Sequence, residues 1–166
     1  FSFNVVFKLA KEFLKNETSA MISVFLLEGI YFYNFTTPEF NVNVCQIPFW
    51  SLTVYYAWQS FKNDKIHNWI LLGLFAALGL LSKYLFIYLL IGINFFFIYY
   101  LIKNKRFNFK YFIPILVLLL ILSPHFLWLI ENNFKTIIYG LKRTSLNESE
   151  TLSHLDLFSL IRRLLF

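Results

Sequence analysis

Trp69-Ile70-Leu71-Leu72-Gly73-Leu74-Phe75-Ala76-Ala77-Leu78-Gly79-Leu80-Leu81-Ser82-Lys83-Tyr84 opens an apolar tract that runs on to Ile102 with Lys83 as its only charge. A helix of a water-soluble domain is apolar along one stripe and polar on the opposite face. This tract is apolar on every face, which suits hydrocarbon on all sides. A lysine is costly at mid-bilayer but tolerable where two helices meet the membrane interface. Ser82-Lys83 therefore predicts a break between two spans rather than one very long helix. The fold class that follows is all-α, a polytopic transmembrane helix bundle.

The rest of the sequence extends this reading. Of the 166 residues, 58% are hydrophobic, 22% aromatic and only 14% charged. The mean hydropathy of +0.61 lies well above that of a soluble domain. About five spans are expected: Ala20–Phe35 behind an N-cap at Thr18 or Ser19, Gln46–Phe61, Ile66–Leu81, Tyr84–Ile102 and Tyr111–Ile130. Several fall short of the roughly 20 residues that a perpendicular helix needs, so partial spans or local bilayer thinning are expected. Phe1–Phe13 reads as the cytoplasmic end of an earlier span, and residues 134–166 as an external or interfacial segment. All of residues 1–166 read as part of one membrane-embedded domain. The start without Met and the stop after Leu-Leu-Phe suggest a fragment of a longer protein.

The net charge of +6 is gathered in the gaps between apolar blocks, so it offers no continuous basic face to phosphodiesters and a nucleic-acid partner is not expected. Lys8, Lys11 and Lys15 precede the first span, Lys62 and Lys65 follow the second, and Lys103, Lys105, Arg106 and Lys110 separate the fourth from the fifth. Placing these loops in the cytoplasm satisfies the positive-inside rule. The opposite face then carries the Thr36–Cys45 loop, the Ser82-Lys83-Tyr84 turn and everything after Ile130, where Lys135, Lys142, Arg143, Arg162 and Arg163 run against the rule unless that part folds at the interface. Lone Cys45 has no intrachain disulfide partner and reads as a small half-buried residue.

Several polar groups on that face invite a chemical reading, each beside a plainer one. Glu39, in Thr36-Thr37-Pro38-Glu39-Phe40-Asn41-Val42-Asn43, suits a base, a ligand for a donor group or cation, or a favourable charge at the start of the next helix. Lys83 suits an anionic phosphate or a side chain snorkelling to the interface. Tyr84 adds a hydroxyl, and Asn41 and Asn43 add amides. His125, in Ser123-Pro124-His125, is an interface hydrogen-bonder or a site residue, and Trp128 an interface anchor. Glu28, inside the first span, is expected to face the bundle interior. No second histidine stands at metal-ligand spacing, so no metal motif is read, and the sequence names no cofactor.

Four stretches, taken in order, resemble the GT-C type membrane glycosyltransferases of family 39, the dolichyl-phosphate-mannose–protein mannosyltransferase-like (RgtA/B/C/D-like) enzymes. Phe7-Lys8-Leu9-Ala10-Lys11-Glu12-Phe13-Leu14 resembles the basic end of an early helix. Thr37–Asn43 followed by Pro48-Phe49-Trp50 resembles an external loop entering an aromatic helix. Trp69–Tyr84 is similar to a Gly/Ala-bearing helix ending in Ser/Thr-Lys, and Ser123–Trp128 to a Pro-aromatic helix end. The match covers roughly Phe7–Phe134.

The resemblance implies a GT-C-like bundle in a cell membrane, most simply the bacterial inner membrane. It also implies a polyprenyl-phosphate-linked sugar donor, membrane lipid as partner, and transfer with inversion at the non-cytoplasmic face to a lipid, glycan or protein acceptor. Glu39 then becomes the candidate catalytic carboxylate and Lys83 with Tyr84 the donor-phosphate contact, with Asn41, Asn43 and His125 around the same external site. The family's principal catalytic acid lies in the first external loop, upstream of everything in this sequence, which implies a truncated enzyme or an inactive relative and a chain inactive alone. The alternative is a transporter or lipid flippase whose path is lined by Glu28 and Lys83.

Overall fold

The computed structural model describes residues 1–35, 38, 41–104 and 108–144, and every regular element among them is helical. In chain order they are α1 (Ser2–Phe13), α2 (Glu17–Glu28), α3 (Tyr31–Asn34), α4 (Val42–Asn63), α5 (Ile66–Ser82), α6 (Ile87–Asn104), α7 (Ile113–Glu131) and α8 (Lys135–Thr144). Short 3-10 turns at Tyr84–Phe86 and Phe109–Phe112 lead into α6 and α7. Contacts divide the chain into two compact units, Phe1–Leu122 and one beginning at Ser123.

Tyr84–Lys103 and Phe109–Glu131 are long and apolar enough to cross a membrane, with mean hydropathies of 2.3 and 2.4. Helix α5, with 17 residues, is apolar and extends about 26 Å. Helix α4 reaches about 33 Å with 22 residues but carries Asn43, Gln46, Gln59, Lys62 and Asn63. The expected break in the long apolar tract is present. Helix α5 ends at Ser82, and Lys83 is extended at φ −162° and ψ 130° before the 3-10 turn begins.

The first apolar block departs from expectation. Helix α2 starts at Glu17, capped by Asn16 rather than Thr18 or Ser19, because the Asn16 side chain accepts from the Thr18 backbone N–H at 3.0 Å. It stops at Gly29, and Ile30 turns extended before the single turn of α3. A 12-residue helix is only about 18 Å long, so Ala20–Phe35 is two pieces and not one continuous span. Helix α4 starts earlier than expected, at Val42, and absorbs Asn43, Val44 and Cys45 from what read as a loop. Helix α8 follows a turn in which Asn133 and Phe134 are both left-handed, and it lies within the segment read as external or interfacial. The apolar tail Leu152–Leu165 lies outside the described residues, as do Lys105 and Arg106.

Within the first unit, helices alternate in direction. Phe3 stacks on Tyr33 at one end of α1, and at the other end Phe13 meets Trp58 at 4.5 Å while Glu12 pairs with Lys62. Helix α1 thus runs parallel to α4, with α5 returning antiparallel. Small and weakly polar residues, Ser51, Thr53, Ala57 and Ser60 on α4 and Ala76 and Ala77 on α5, are buried, which lets these neighbouring helices approach closely. Two apolar clusters stack along the bundle. One joins Ala57, Trp69, Leu72 and Phe97; the other joins Ala76, Phe86 and Leu90. A Cβ on Gly73 would lie 2.6 Å from the Pro114 carbonyl oxygen, so this glycine sets how near α7 comes to α5.

Alternation collects the described basic loop residues Lys15, Lys62, Lys65, Lys103 and Lys110 at one end, and Asn43, Lys83 and Tyr84 at the other. Carboxylates are built into the basic end. Lys62 hydrogen-bonds Glu12 and holds its carboxyl below the ordinary value, while Lys11 pairs with Glu17 at 3.0 Å.

Candidate functional site

At the end away from the basic loops, the break after α5 and the start of α4 come together. Asn41 is the N-cap of α4: its Oδ1 accepts from the backbone N–H of Asn43 at 2.9 Å and of Val44 at 3.3 Å. The cap fixes the first turn of α4 and places Asn43 on it. Lys83, extended because α5 has just ended, reaches across 40 residues of sequence, and its Nζ donates to Asn43 Oδ1 at 2.5 Å. Lys83 is half-buried and Tyr84 exposed. Among the described residues Lys83 makes no ion pair, whereas Lys11, Lys62 and Lys110 each pair with a carboxylate. A neutral amide orients an ammonium without cancelling its charge, and such a group suits a phosphate.

The remaining expected site residues divide. Glu39 lies outside the described residues. His125 belongs to the second unit, where it stacks on Trp128 at 6.0 Å with the rings nearly parallel. Glu28 is exposed as the last residue of α2, not turned into the bundle. The break at Gly29-Ile30 moves it from the middle of a span to a helix end. Glu28 is thus not a carboxylate buried within a span, and its position does not support the transporter alternative.

Two features escaped the sequence reading. Gln46, one turn after Asn43 on α4, has a buried Oε1 with no hydrogen-bond partner among the described residues. Its only sequence signal was a polar residue at the start of an apolar block. The second is an apolar groove of about 550 Å³ between α1, α4 and α6, walled by Phe13, Trp50, Trp58, Tyr88 and Phe96. Gly92 lines it too, and a Cβ there would meet nothing within 4 Å. Helical rise sets Tyr88 about 7 Å and Trp50 about 10 Å along the bundle from the Lys83–Asn43 contact. This groove combines residues from three helices, so no local pattern announces it.

The basic end is organised around Asp64, the left-handed C-cap of α4 at φ 47°. Its carboxylate accepts from Lys110 Nζ at 2.8 Å, Asn108 Nδ2 at 3.1 and 3.2 Å, and Trp69 Nε1 at 3.2 Å. Lys110 foremost, then Trp69 and Asn108, hold the Asp64 carboxyl below its ordinary value against a smaller desolvation effect. This arrangement clips the α4–α5 turn to the chain entering α7.

No curated protein and no solved structure matches the chain. A family model does: the one described as dolichyl-phosphate-mannose-protein mannosyltransferase matches residues 1–128, a stretch that takes in the Lys83–Asn43 contact, the groove, the first membrane-length helix and all but the last turn of the second. This membrane protein therefore belongs to the dolichyl-phosphate-mannose-protein mannosyltransferase family, a family of GT-C type glycosyltransferases.

Proposed function

We propose that the chain forms the donor-binding part of a glycosyltransferase that moves a sugar from a polyprenyl phosphate to a lipid, glycan or protein acceptor at the non-cytoplasmic face of a cell membrane. The observation that carries this reading is the half-buried Lys83, whose partner among the described residues is a neutral amide rather than a carboxylate. Lys83, with Tyr84 beside it, meets the donor phosphate. The apolar groove, beginning one to two turns away, takes the isoprenoid tail. In the transfer step the bond from the anomeric carbon to the phosphate oxygen breaks, and an acceptor hydroxyl forms the new bond from the opposite face. Glu39 is assigned to take or orient that hydroxyl's proton. Negative charge then grows on the departing lipid phosphate, where a preorganised cation is most effective.

The test is Lys83→Ala in the full-length protein, assayed with a purified polyprenyl-phosphate sugar. Loss of one charge-assisted contact of about 1.5–3 kcal/mol lowers kcat/KM roughly 10- to 150-fold. Helix content by circular dichroism should be unchanged, and Lys83→Arg should restore part of the rate. Unaltered transfer by a folded Lys83→Ala protein would refute the donor-phosphate assignment.

A further inference from the structure

The basic end holds a second pocket, polar and about 500 Å³ in volume, lined among others by Asp64, Trp69, Tyr100, Lys103, Asn108 and Tyr111. Its charges do not cancel. The Asp64 carboxylate already accepts from Lys110, Asn108 and Trp69. Lys110 neutralises Asp64, which leaves Lys103 as the surplus charge of the lining. Lys103 lies in the last turn of α6, its ammonium 5.8 Å from the centre of the Tyr99 ring, and makes no ion pair among the described residues. The pocket is therefore built for an anion.

Its depth says which anion. Lys103 ends one membrane-length stretch, Tyr84–Lys103, and Phe109 begins the next, so the pocket opens at the level where lipid headgroups lie. Trp69, Tyr100 and Tyr111 give it the amphipathic aromatic wall characteristic of that layer. Basic pockets between membrane helices at this level recognise lipid phosphates. We propose that this pocket holds the phosphate headgroup of an anionic phospholipid, with Lys103 as its counter-charge. The inference rests on the membrane-crossing helices and is independent of the glycosyl-transfer reading.

Native mass spectrometry of the detergent-purified full chain tests it, using short-chain phosphatidylglycerol against phosphatidylcholine. Phosphatidylglycerol should be retained preferentially, and the preference should fall as salt rises. Lys103→Gln should reduce that preference roughly fivefold, while Lys65→Gln, at the same end but outside the pocket, should leave it intact. Lys103→Arg keeps the charge and should keep the preference even if the glutamine variant folds poorly. Equal retention of the two lipids would overturn the proposal, as would an undiminished preference in folded Lys103→Gln or its loss in Lys103→Arg. Displacement of phosphatidylglycerol by equimolar inorganic phosphate would assign the pocket to a soluble anion and overturn the lipid assignment.

Discussion

Gly73→Ala is the most direct test of how α5 and α7 pack. The added Cβ would lie 2.6 Å from the Pro114 carbonyl oxygen, 2.9 Å from Pro114 Cα and 2.8 Å from Val117 Cβ. Two of these atoms are backbone, and no rotamer change relieves them. Restoring an ordinary carbon–carbon separation of about 3.5 Å requires the first turns of α7 to retreat by roughly 0.7 Å. Overpacking of this kind costs about 1–3 kcal/mol. Replacing glycine inside a helix returns up to about 1 kcal/mol. With the full offset the difference is a net loss of up to about 2 kcal/mol, enough to change the folded-to-unfolded ratio by as much as roughly 30-fold. Gly92→Ala is the matched control, because its Cβ meets nothing within 4 Å and only the helix-propensity gain remains. Thermal unfolding in one detergent, followed by circular dichroism, compares the two. A Gly73→Ala protein as stable as Gly92→Ala would refute close contact between α5 and the start of α7.

Gly92→Leu projects a side chain into the apolar groove without a clash at its Cβ. It should raise KM for long-chain polyprenyl-phosphate donors more than for short-chain analogues, and an unchanged ratio of the two KM values would remove the groove from donor binding. Asp64→Asn keeps a residue that tolerates the left-handed cap but loses the charge facing Lys110. It should cost up to about 1 kcal/mol near neutral pH, the worth of an exposed ion pair. Because the folded-state pKa of Asp64 is depressed, its contribution is present above the unfolded value of about 3.9 and is lost as pH falls through the lower folded value. The stability difference between parent and variant should therefore close in acid, and a pH-independent difference would show that charge is not its source. Asn41→Ala should lower the unfolding midpoint by the loss of a cap worth about 1 kcal/mol, and an unchanged midpoint would deny the cap that role.

The sequence was most legible where periodicity and charge act alone. Lys83 marks a helix break because a lysine inside hydrocarbon is costly whatever surrounds it, and α5, α6 and α7 begin and end within a few residues of their apolar blocks. Hydropathy could not see the break at Gly29-Ile30, because Ile30, Tyr31 and Phe32 keep the block apolar while the backbone turns. The roles of Asn41 and Asn43 were blurred for a related reason. Both are amides beside a proline-bearing loop, and only the start of α4 makes one a cap and the other the partner of a distant lysine. Asp64 drew no attention because its partners Asn108 and Lys110 lie 44 and 46 residues away.

How each end of the first unit treats its lysines separates structural charge from working charge. At the basic end, Glu12, Glu17 and Asp64 each hold a lysine, and those pairs tie α1 to α4, α1 to α2, and the α4–α5 turn to the approach to α7. A phosphate competing for such a lysine must displace a carboxylate. At the other end Lys83 is equally anchored in position, but by an amide. A phosphate approaching it meets a cation whose charge is uncompensated among the described residues. Among the described residues, a half-buried ammonium held this way lacks the ion-pair stabilisation that Lys11, Lys62 and Lys110 have. That arrangement is intelligible if the compensating charge arrives with the ligand. The same reasoning singles out Lys103 at the basic end, the one lysine of its pocket lining, and there too the missing partner is an anion brought by lipid.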